Sequence, residues 1–328
     1  MIRLIANLGT ATVLTLWLIV GVAGCNSSSQ NSENGGDSDA PKIGVSLLTL
    51  KNPFFDVIGN NIASEAEKHG YQAIVQSAEE DIQIQGNHVK DFIVQGVSAI
   101  VLSPCESEAI GPIIKEANDA GIPVFTVDIP CRLPDVKIAC QIASDNFQGG
   151  KEAAKAMIEA LGEDGGKVGI LHFVQAESCQ LRVKGFREVI QQHNAAAAAK
   201  IEIVAELEGG GDRDRGNAAA QDLLQAHPDL AGIFCINDPS ALGAYAALEK
   251  ANLQDQVVLI GFDGMPEGKQ AIKDGKIYAD PVQFPDQMGV RIVDAIIKHS
   301  KGEELPAEIL IPCELYRQED AQNDPSLR

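Results

Sequence analysis

The chain has 328 residues, of which 45% are hydrophobic and 22% are charged, a composition that excludes a wholly disordered protein. The formal net charge of −20 comes from 26 Lys and Arg against 46 Asp and Glu, and it argues against nucleic acid as a partner. The length predicts two domains, and seven cysteines are too few for a disulfide scaffold.

Residues 1–24 are typical of a lipoprotein signal peptide. Arg3 precedes a short apolar stretch over residues 10–23, and the small residues Ala23 and Gly24 stand directly before Cys25. Such a junction resembles the lipobox of bacterial lipoproteins, in which the signal is removed and the cysteine receives lipid. An uncleaved anchor helix is the alternative for the same stretch.

Residues 25–40 are predicted to be a flexible tether, because no apolar side chain occurs between residues 26 and 39. With the preceding signal, the tether predicts an extracytoplasmic protein, in the periplasm or at the cell surface, anchored to a membrane through lipidated Cys25. The six remaining cysteines then lie in an oxidising compartment.

From Pro41 onward, short apolar runs alternate with amphipathic helices. The predicted strands cover 43–48, 71–75, 99–102, 124–127, 167–171, 201–205, 232–236, 257–260 and 278–282. The predicted helices cover 55–69, 81–95, 109–120, 147–161, 179–192, 212–226, 239–251 and 266–273. This alternation predicts parallel strands joined by crossover helices, and its two successive sets predict two doubly wound α/β domains.

Hydrogen-bonding side chains follow nearly every predicted strand. They include Asn52, Ser103, Asp128, Asn237, Asp263 and Gln283. Ligands of open parallel sheets bind beyond the carboxyl ends of the strands, and these side chains suit a neutral polyhydroxyl molecule. Two phenylalanines near the first strand could cover the C–H face of a sugar ring. The alternative is that the polar residues only cap the helices that follow them.

No enzyme signature accompanies these residues. The sequence has no Gly-x-Gly-x-x-Gly after a strand, no Gly-x-Ser-x-Gly elbow and no paired cysteine or histidine motif for a metal. His172 alone lies near the predicted cleft, where packing explains it better than catalysis. We therefore expect no catalytic residue, no cofactor and no metal.

Five motifs in the alternating body occur in an order known from one protein family. They are Asn52-Pro-Phe-Phe55, Ile142–Asn146, Asn237–Ala244, Gly261-Phe-Asp-Gly264 and Gln283–Gln287. From about residue 41 to about residue 313, the chain resembles the ribose-binding branch of type I periplasmic binding proteins, the sugar receptors of bacterial ABC importers. The resemblance implies two Rossmann-like doubly wound domains joined by three crossovers, with the ligand cleft between them.

In this family the domains would be discontinuous. The N-terminal domain would comprise residues 41–143 plus 284–311, and the C-terminal domain residues 144–283 plus 312–320. The resemblance implies a monomer that closes on a monosaccharide or polyol by hinge motion and delivers it to an ABC transporter permease. A sensor of the same fold that feeds a signalling partner is the alternative. A repressor's effector domain is disfavoured by the acidic charge, and an enzyme by the missing motifs.

The resemblance also assigns ligand contacts residue by residue. In the family, Phe54 or Phe55 would stack on the sugar ring, while Asp128 and Asp263 would accept hydroxyl hydrogens and Arg182 would donate. The full expected set is Asn52, Phe54, Phe55, Ser103, Asp128, Phe173, Arg182, Asn237, Asp263 and Gln283.

Three positions depart from the ribose receptors of the family. Ile129 stands where they have an arginine, Ser103 where they have an asparagine, and an aromatic residue near Gly211 is missing. Phe173 is our candidate replacement for that aromatic ring. These changes leave another pentose, a hexose or a polyol open as the ligand.

The cysteines allow one local disulfide. Cys131 and Cys140 flank a proline-containing loop beside Asp128, and Cys105 is a rival partner for Cys131. Cys235 falls inside a predicted strand and is expected to be a small buried side chain.

Overall fold

The protein is described here by a computed structural model that covers residues 40–328. The predicted signal peptide, Cys25 and the tether up to residue 39 lie outside these residues. Between residues 40 and 328, none of the helices combines the length and the apolar character that crossing a bilayer requires.

Strands and helices alternate along the described chain. Up to residue 161 the elements are β1 (Lys42–Leu47), α1 (Pro53–Lys68), β2 (Gln72–Ser77), α2 (Ile82–Gln95), β3 (Ala99–Leu102), α3 (Gly111–Asp119), β4 (Val124–Val127), β5 (Gln141–Ser144) and α4 (Asn146–Leu161). The later elements are β6 (Gly166–His172), α5 (Glu177–Ala196), β7 (Ile201–Glu208), α6 (Arg213–Ala226), β8 (Leu230–Cys235), α7 (Asp238–Ala251), β9 (Val258–Ile260), α8 (Pro266–Lys273), β10 (Ala279–Val282), α9 (Pro285–Ser300), β11 (Glu308–Ile311), β12 (Glu314–Arg317) and α10 (Gln318–Asn323).

These elements form two six-stranded sheets, which confirms the predicted class of two α/β domains. The first sheet has the strand order β11-β5-β4-β3-β1-β2, and the second has the order β12-β10-β9-β8-β6-β7. Neighbouring strands are parallel except for the antiparallel pair of β10 and β12. The chain passes between the sheets three times: after β5, after β10, and between β11 and β12.

Asparagine and aspartate side chains fix where many helices begin. Asn52, Asp81, Asp145, Asp212 and Asn237 each accept a hydrogen bond from a backbone N–H in the first turn of the helix that follows. This satisfies amide donors that have no partner within the helix. The helices therefore start just beyond the strand ends, where a ligand of a parallel sheet binds.

Four elements near the domain crossings were not predicted as strands or helices. They are β5, α9, β11 and β12. The three strands have only four residues each, too few to show a reliable period of two. Helix α9 packs on α1 although more than 200 residues separate them in sequence, a contact that local periodicity does not reveal.

The suggested disulfide between Cys131 and Cys140 is wrong for the described structure. All six cysteines of residues 40–328 are buried free thiols. Cys140 packs into the hydrophobic cluster on one face of the first sheet, whereas Cys131 packs into the cluster on the other face. The two thiols therefore belong to separate hydrophobic clusters. Cys235 is fully buried inside β8, as predicted.

A close approach of α4 and α5 places one important side chain, that of Arg182. A Cβ atom on Gly150 would lie 2.0 Å from the carbonyl oxygen of Arg182, and one on Gly185 would lie 2.1 Å from that of Phe147. Such distances are far inside van der Waals contact, so only glycine allows these backbones to touch. Arg182 therefore has its position set by helix packing before any ligand is present.

We predict that Gly150→Ala lowers the free energy of unfolding by about 1–3 kcal/mol, because the two helices must separate to admit a methyl group. Chemical denaturation of the variant measures this loss. Lys155→Ala, on the exposed side of the same helix, serves as the control and should change stability by about 0.5 kcal/mol or less. Equal stability of both variants and the wild type would contradict the described helix packing.

Candidate functional site

A cavity of about 400 Å³ lies between the two sheets and collects nearly all the predicted site residues. Those in its wall are Asn52, Phe54, Phe55, Asp128, Phe173, Arg182, Asn237, Asp263 and Gln283. Both sheets contribute, since Asp128 follows β4 of the first sheet and Gln283 follows β10 of the second. The expectation that strand ends converge on one cleft is therefore met.

Ser103 is the exception, and its assignment to the site is corrected here. Ser103 is fully buried and does not reach the cavity wall. The side chain of Gln85, from α2, occupies the end of β3 instead: it donates to the Ser103 carbonyl (2.9 Å) and accepts from the Cys105 amide (3.0 Å). Gln85 thus binds the backbone on both sides of Ser103, outside the cavity wall.

The centre of the cavity wall is the buried guanidinium of Arg182, which is 4% exposed. Its Nε donates to Asn146 Oδ1 at 2.7 Å, and its Nη1 donates to the Ile236 carbonyl at 2.6 Å. Nη1 also lies 3.2 Å from Asp263 Oδ1, and the guanidinium stacks 3.9 Å above the ring of Phe262. Arginine suits such a position because its planar donors and face bind several partners at once.

Two aspartates share the field of this cation. Burial raises the pKa of Asp128 to about 7, although Arg182 opposes the shift and Asp263 adds to it. Burial likewise raises the pKa of Asp263 to about 6, against the charge of Arg182 and a hydrogen bond from Gln283. Without Arg182, two buried carboxylates would face each other unpaired, an arrangement that burial strongly disfavours.

Both aspartates also have unusual backbones. Asp128 has φ of 62° and Asp263 has φ of 104°, values that non-glycine residues rarely adopt. Backbone hydrogen bonds hold them there: the Asp128 amide donates to the Ile142 carbonyl, and the Asp263 amide to the Pro281 carbonyl. Strain that is held in this way is common at ligand sites, where it aims a side chain into a cleft.

Two oxygen atoms in the cavity wall are buried and accept no hydrogen bond from any described residue. They are Asp128 Oδ1 and Gln283 Oε1. The amide nitrogen of Gln283 is engaged, because it donates to Asp263 Oδ1 at 2.6 Å. A buried acceptor without a donor costs about 1–3 kcal/mol, so a ligand with hydroxyl groups would relieve both atoms.

The two site asparagines are partly committed to the protein itself. Asn52 Oδ1 accepts from the Phe54 amide at 3.0 Å, while its amide nitrogen has both donors available for a ligand. Asn237 caps α7 through Oδ1, and its Nδ2 donates to the Gly211 carbonyl at 2.8 Å. The capping alternative is thus correct for these two residues, but it does not remove them from the cavity.

Apolar groups cover another part of the wall. The rings of Phe54 and Phe55 meet edge to face, with centroids 5.3 Å apart. Phe173 lies beside Gly211, since a Cβ atom on that glycine would be 3.5 Å from the Phe173 ring. Ile129 also lines the cavity. Rings and aliphatic groups of this kind bind the C–H faces of a ligand whose hydroxyls meet the polar side.

Sequence reasoning missed several lining residues, most of them charged and near the rim. The cavity is also lined by Lys51, Glu80, Cys179, Asp212, Arg213 and Glu267. The signal for Cys179 was available, because it precedes Arg182 by one helical turn on α5. The charged residues among them could not be predicted from sequence, because their position near the cavity depends on how the two sheets face each other.

Two ion pairs and one hydrogen bond connect elements of the two sheets beside the cavity. Arg132 pairs with Glu177 at 2.8 Å, and Arg215 pairs with Glu80 at 3.1 Å. The Glu177 amide donates to Ser107 Oγ at 3.2 Å. Exposed pairs of this kind contribute about 0–1 kcal/mol each, so they bias an arrangement of the domains rather than lock it.

Comparison with known proteins gives a consistent result. The family model described as "Periplasmic binding protein domain" matches residues 43–304. The ribose import binding protein of Salmonella typhimurium is 36% identical over 273 residues, which is 83% of this chain and 89% of that protein. The D-apiose import binding protein of Paraburkholderia graminis is 30% identical and aligns over 85% of this chain and 88% of its own length.

Solved structures agree in fold. A periplasmic solute-binding protein of an ABC transporter from Actinobacillus succinogenes, with bound D-allose, superposes with a TM-score of 0.79 at 27% identity, covering 87% of this chain and all of that one. A solute-binding protein from Mycobacterium smegmatis with bound glycerol also has a TM-score of 0.79, at 32% identity, and covers 87% of this chain and 96% of its own.

We predict that Arg182→Met destabilises the protein by about 3–5 kcal/mol near neutral pH, because it leaves Asp128 and Asp263 buried without a cation. The loss should shrink as the pH falls, since both carboxyl groups can then take up protons. Chemical denaturation at several pH values measures it. Arg187→Met is the matched control on the same helix, because Arg187 is 48% exposed and pairs only at the surface. Equal losses in the two variants would contradict the central role of Arg182.

Proposed function

Because the chain belongs to the ribose-binding branch of the type I periplasmic binding proteins, we propose that it captures a monosaccharide or polyol between its two domains and delivers it to an ABC transporter permease. The observation that carries the proposal is the pair of unpartnered acceptors, Asp128 Oδ1 and Gln283 Oε1, facing a cleft with three phenylalanines. Hydroxyl donors on one side and C–H faces on the other describe a carbohydrate.

The bound molecule would differ from ribose in at least one contact. Ile129 presents a hydrocarbon where the ribose receptors of the family present an arginine, so one donor is replaced by an apolar surface. Phe173 beside Gly211 supports the idea that this ring takes the place of the missing aromatic residue. The named ligands of the relatives and of the matching structures include ribose, apiose, allose, myo-inositol and glycerol, which together define the panel to test.

Ligand capture would close two domains around three linkers. We assign residues 41–143 plus 284–311 to the N-terminal domain and 144–283 plus 312–320 to the C-terminal domain. The passage of the chain between the sheets after β5, after β10 and after β11 supports these limits. The ion pairs of Arg132 with Glu177 and of Arg215 with Glu80 would form on closure and break on opening.

Transport is favoured over the signalling alternative. The matched relatives with named roles are import binding proteins, and none of the groups in the described cleft requires a chemical step. The protein would act as a monomer, without turnover and without a cofactor. The permease would recognise the closed form, to which the ligand shifts the population because it binds that form more tightly.

Proteins of this family work outside the cytoplasm, and the N-terminal sequence suggests how this one would be held there. We propose that residues 1–24 are removed and that Cys25 receives lipid, which anchors the binding domains to a membrane through residues 25–40. Firm anchoring takes more than one acyl chain, which the lipid of a bacterial lipoprotein provides.

We predict that one sugar or polyol of the panel raises the thermal unfolding midpoint of the purified protein. A ligand at about 100 times its Kd adds about 2.7 kcal/mol, which corresponds to a rise of about 4 °C for a protein of this size. A thermal-shift screen with pentoses, hexoses, polyols and a few amino acids measures it. A response to amino acids alone would contradict the proposal.

Variants test whether the sugar or polyol found in the screen binds in the cleft. Asp263→Ala should weaken binding about tenfold or more, because ligand hydroxyls lose their acceptor, and Phe54→Ala or Phe55→Ala should weaken it through lost stacking. Ser103→Ala is the control, since this hydroxyl is buried outside the cavity and has no partner. Loss of binding in the control together with full binding in Asp263→Ala would place the ligand elsewhere.

The raised pKa of Asp128 predicts a pH dependence of binding. A ligand hydroxyl donates to the ionised carboxylate, so binding favours the form that predominates above a pKa of about 7. Affinity should therefore be about tenfold higher at pH 8 than at pH 6, with a proton released on binding below neutrality. Titration calorimetry in buffers of different ionisation enthalpy measures both quantities.

Asp128→Asn provides the comparison for this pH effect. An amide cannot ionise, so the variant should bind more weakly, and its affinity should change only about twofold across the same pH range, because Asp263 with a pKa of about 6 still titrates. A wild-type affinity that rises as the pH falls would instead mean that Asp128 acts as a neutral acid and donates to the ligand.

A further inference from the structure

Two further acidic side chains lie behind Asp263 and do not line the cavity. Asp238 opens α7 directly after the site residue Asn237, and Asp280 lies within β10. Asp238 is 2% exposed and Asp280 is completely buried. Neither lines the cavity, so the proposed binding function does not explain why two carboxyl groups are buried there.

Both acids pack against the segment that carries Asp263. The Met265 amide donates to Asp238 Oδ2 at 2.6 Å. A Cβ atom on Gly268 would lie 2.2 Å from Asp238 Oδ1, and one on Gly261 would lie 2.3 Å from Asp280 Oδ1. The carboxyl groups therefore occupy the space beside both ends of the segment between residues 261 and 268, and glycine at those ends makes room for them.

The segment needs such support because Asp263 is strained. Its φ of 104° is unfavourable for any residue with a side chain. A conformation of this kind persists only when the surroundings fix it from several sides. Bonds along β10 fix one side, since the Asp263 amide donates to the Pro281 carbonyl and the Gln283 amide donates to the Asp263 carbonyl. On the other side, the Asp238 carboxyl holds the Met265 amide.

The two acids cannot both be ionised in this place. Three of their four oxygens, Asp238 Oδ1 and both of Asp280, accept no hydrogen bond from a described residue. The Gly261 amide faces Asp280 but donates to the Ala279 carbonyl at 3.2 Å. A single proton between the two carboxyl groups satisfies the pair, because Asp238 Oδ1–H then donates to Asp280.

The charged surroundings agree with one retained proton. Burial, followed by the negative charge of Asp280, raises the pKa of Asp238 well above its ordinary value, and Asp263 adds to the shift. Burial raises the pKa of Asp280 to about 6, while contact with Asp238 and the charge of Lys269 lower it. Both shifts are upward, so the pair keeps a proton more firmly than two separate aspartates would.

We propose that Asp238 is a positioning residue that holds the Asp263 segment in its binding conformation through one proton shared with Asp280. The shared proton lets Asp238 act on both sides at once, as an acceptor for Met265 and as a donor to Asp280. Its effect on ligand affinity rests on the proposed sugar-binding function, whereas its effect on unfolding does not.

The experiment compares the pH dependence of wild type and Asp238→Asn. Asparagine reproduces both contacts, because its Oδ1 accepts from Met265 and its Nδ2 donates to Asp280, but it cannot lose the proton. The folded pKa of Asp238 lies above the unfolded value, so the folded state keeps a proton that the unfolded state loses. The unfolding midpoint of ligand-free wild type should therefore fall with rising pH, from the unfolded pKa of about 4 up to the raised folded pKa, more steeply than that of Asp238→Asn.

Binding of the panel hit gives the second measurement. Asp238→Asn should bind within about twofold of wild type near pH 7. The variant should retain its affinity at alkaline pH, where wild type loses it. Below neutral pH its affinity should fall as in wild type, because that fall belongs to Asp128. Asp238→Ala should weaken binding about tenfold near pH 7, since the Met265 amide loses its acceptor. Asp214→Asn, in the exposed first turn of α6, controls for the removal of a negative charge at a helix start.

If the unfolding midpoints of wild type and Asp238→Asn fall equally with rising pH, the proposal is overturned. If that variant does not fold, Asp280→Asn replaces it, because its amide donates to an ionised Asp238 and also removes the shared proton.

Infrared spectra of the wild type test for the shared proton without any variant. At about pH 8, where most of Asp128 and Asp263 is ionised, a neutral carboxylic acid band should persist, and its absence would contradict the shared proton. If no ligand of the panel binds but the pH dependence of unfolding is as expected, only the proposed binding function is contradicted.

Discussion

The buried Arg182 guanidinium is the interaction on which the cleft depends. It carries the only positive charge among the described cavity residues that is nine-tenths or more buried, and two strained aspartates point their carboxyl groups toward its field. Its own position comes from glycine contacts between α4 and α5, so helix packing on one side of the domain determines electrostatics on the other. A buried charge of this kind is costly unless it is paired and hydrogen-bonded, and Asn146, Ile236 and Asp263 accept from its Nε and Nη1.

The same side chains serve the fold and the ligand at once. Asn52 and Asn237 cap helices and also face the cavity, and Gln283 holds Asp263 with one end while its other end has no partner. Economy of this kind follows from the architecture, because helix starts and strand ends meet at the same edge of each parallel sheet. Capping and binding are therefore not competing explanations for an asparagine at this edge.

Much of this arrangement could be predicted from sequence, and the failures have physical causes. The alternation of apolar runs and helices predicted the two sheets, and residues after the strands predicted the cleft as far as Asp128 and Asp263. Ser103 follows a strand like the others but is buried outside the cavity wall, where Gln85, eighteen residues away, binds its carbonyl. The cysteine pairing failed because residues near in sequence pack on opposite faces of a sheet. Asp238 and Asp280 were missed because their proximity exists only after the second sheet forms.

The order of the strands also has a consequence for how the protein is made. Strand β11 completes the first sheet and β12 completes the second, and only Pro312 and Cys313 separate them along the chain. Neither domain can finish folding until residues 308–317 have left the ribosome. During synthesis from the N-terminus, both sheets therefore lack an edge strand until this short segment emerges. For a protein that works beyond a membrane, such a delay keeps the preceding chain unfolded, which is the state that translocation requires.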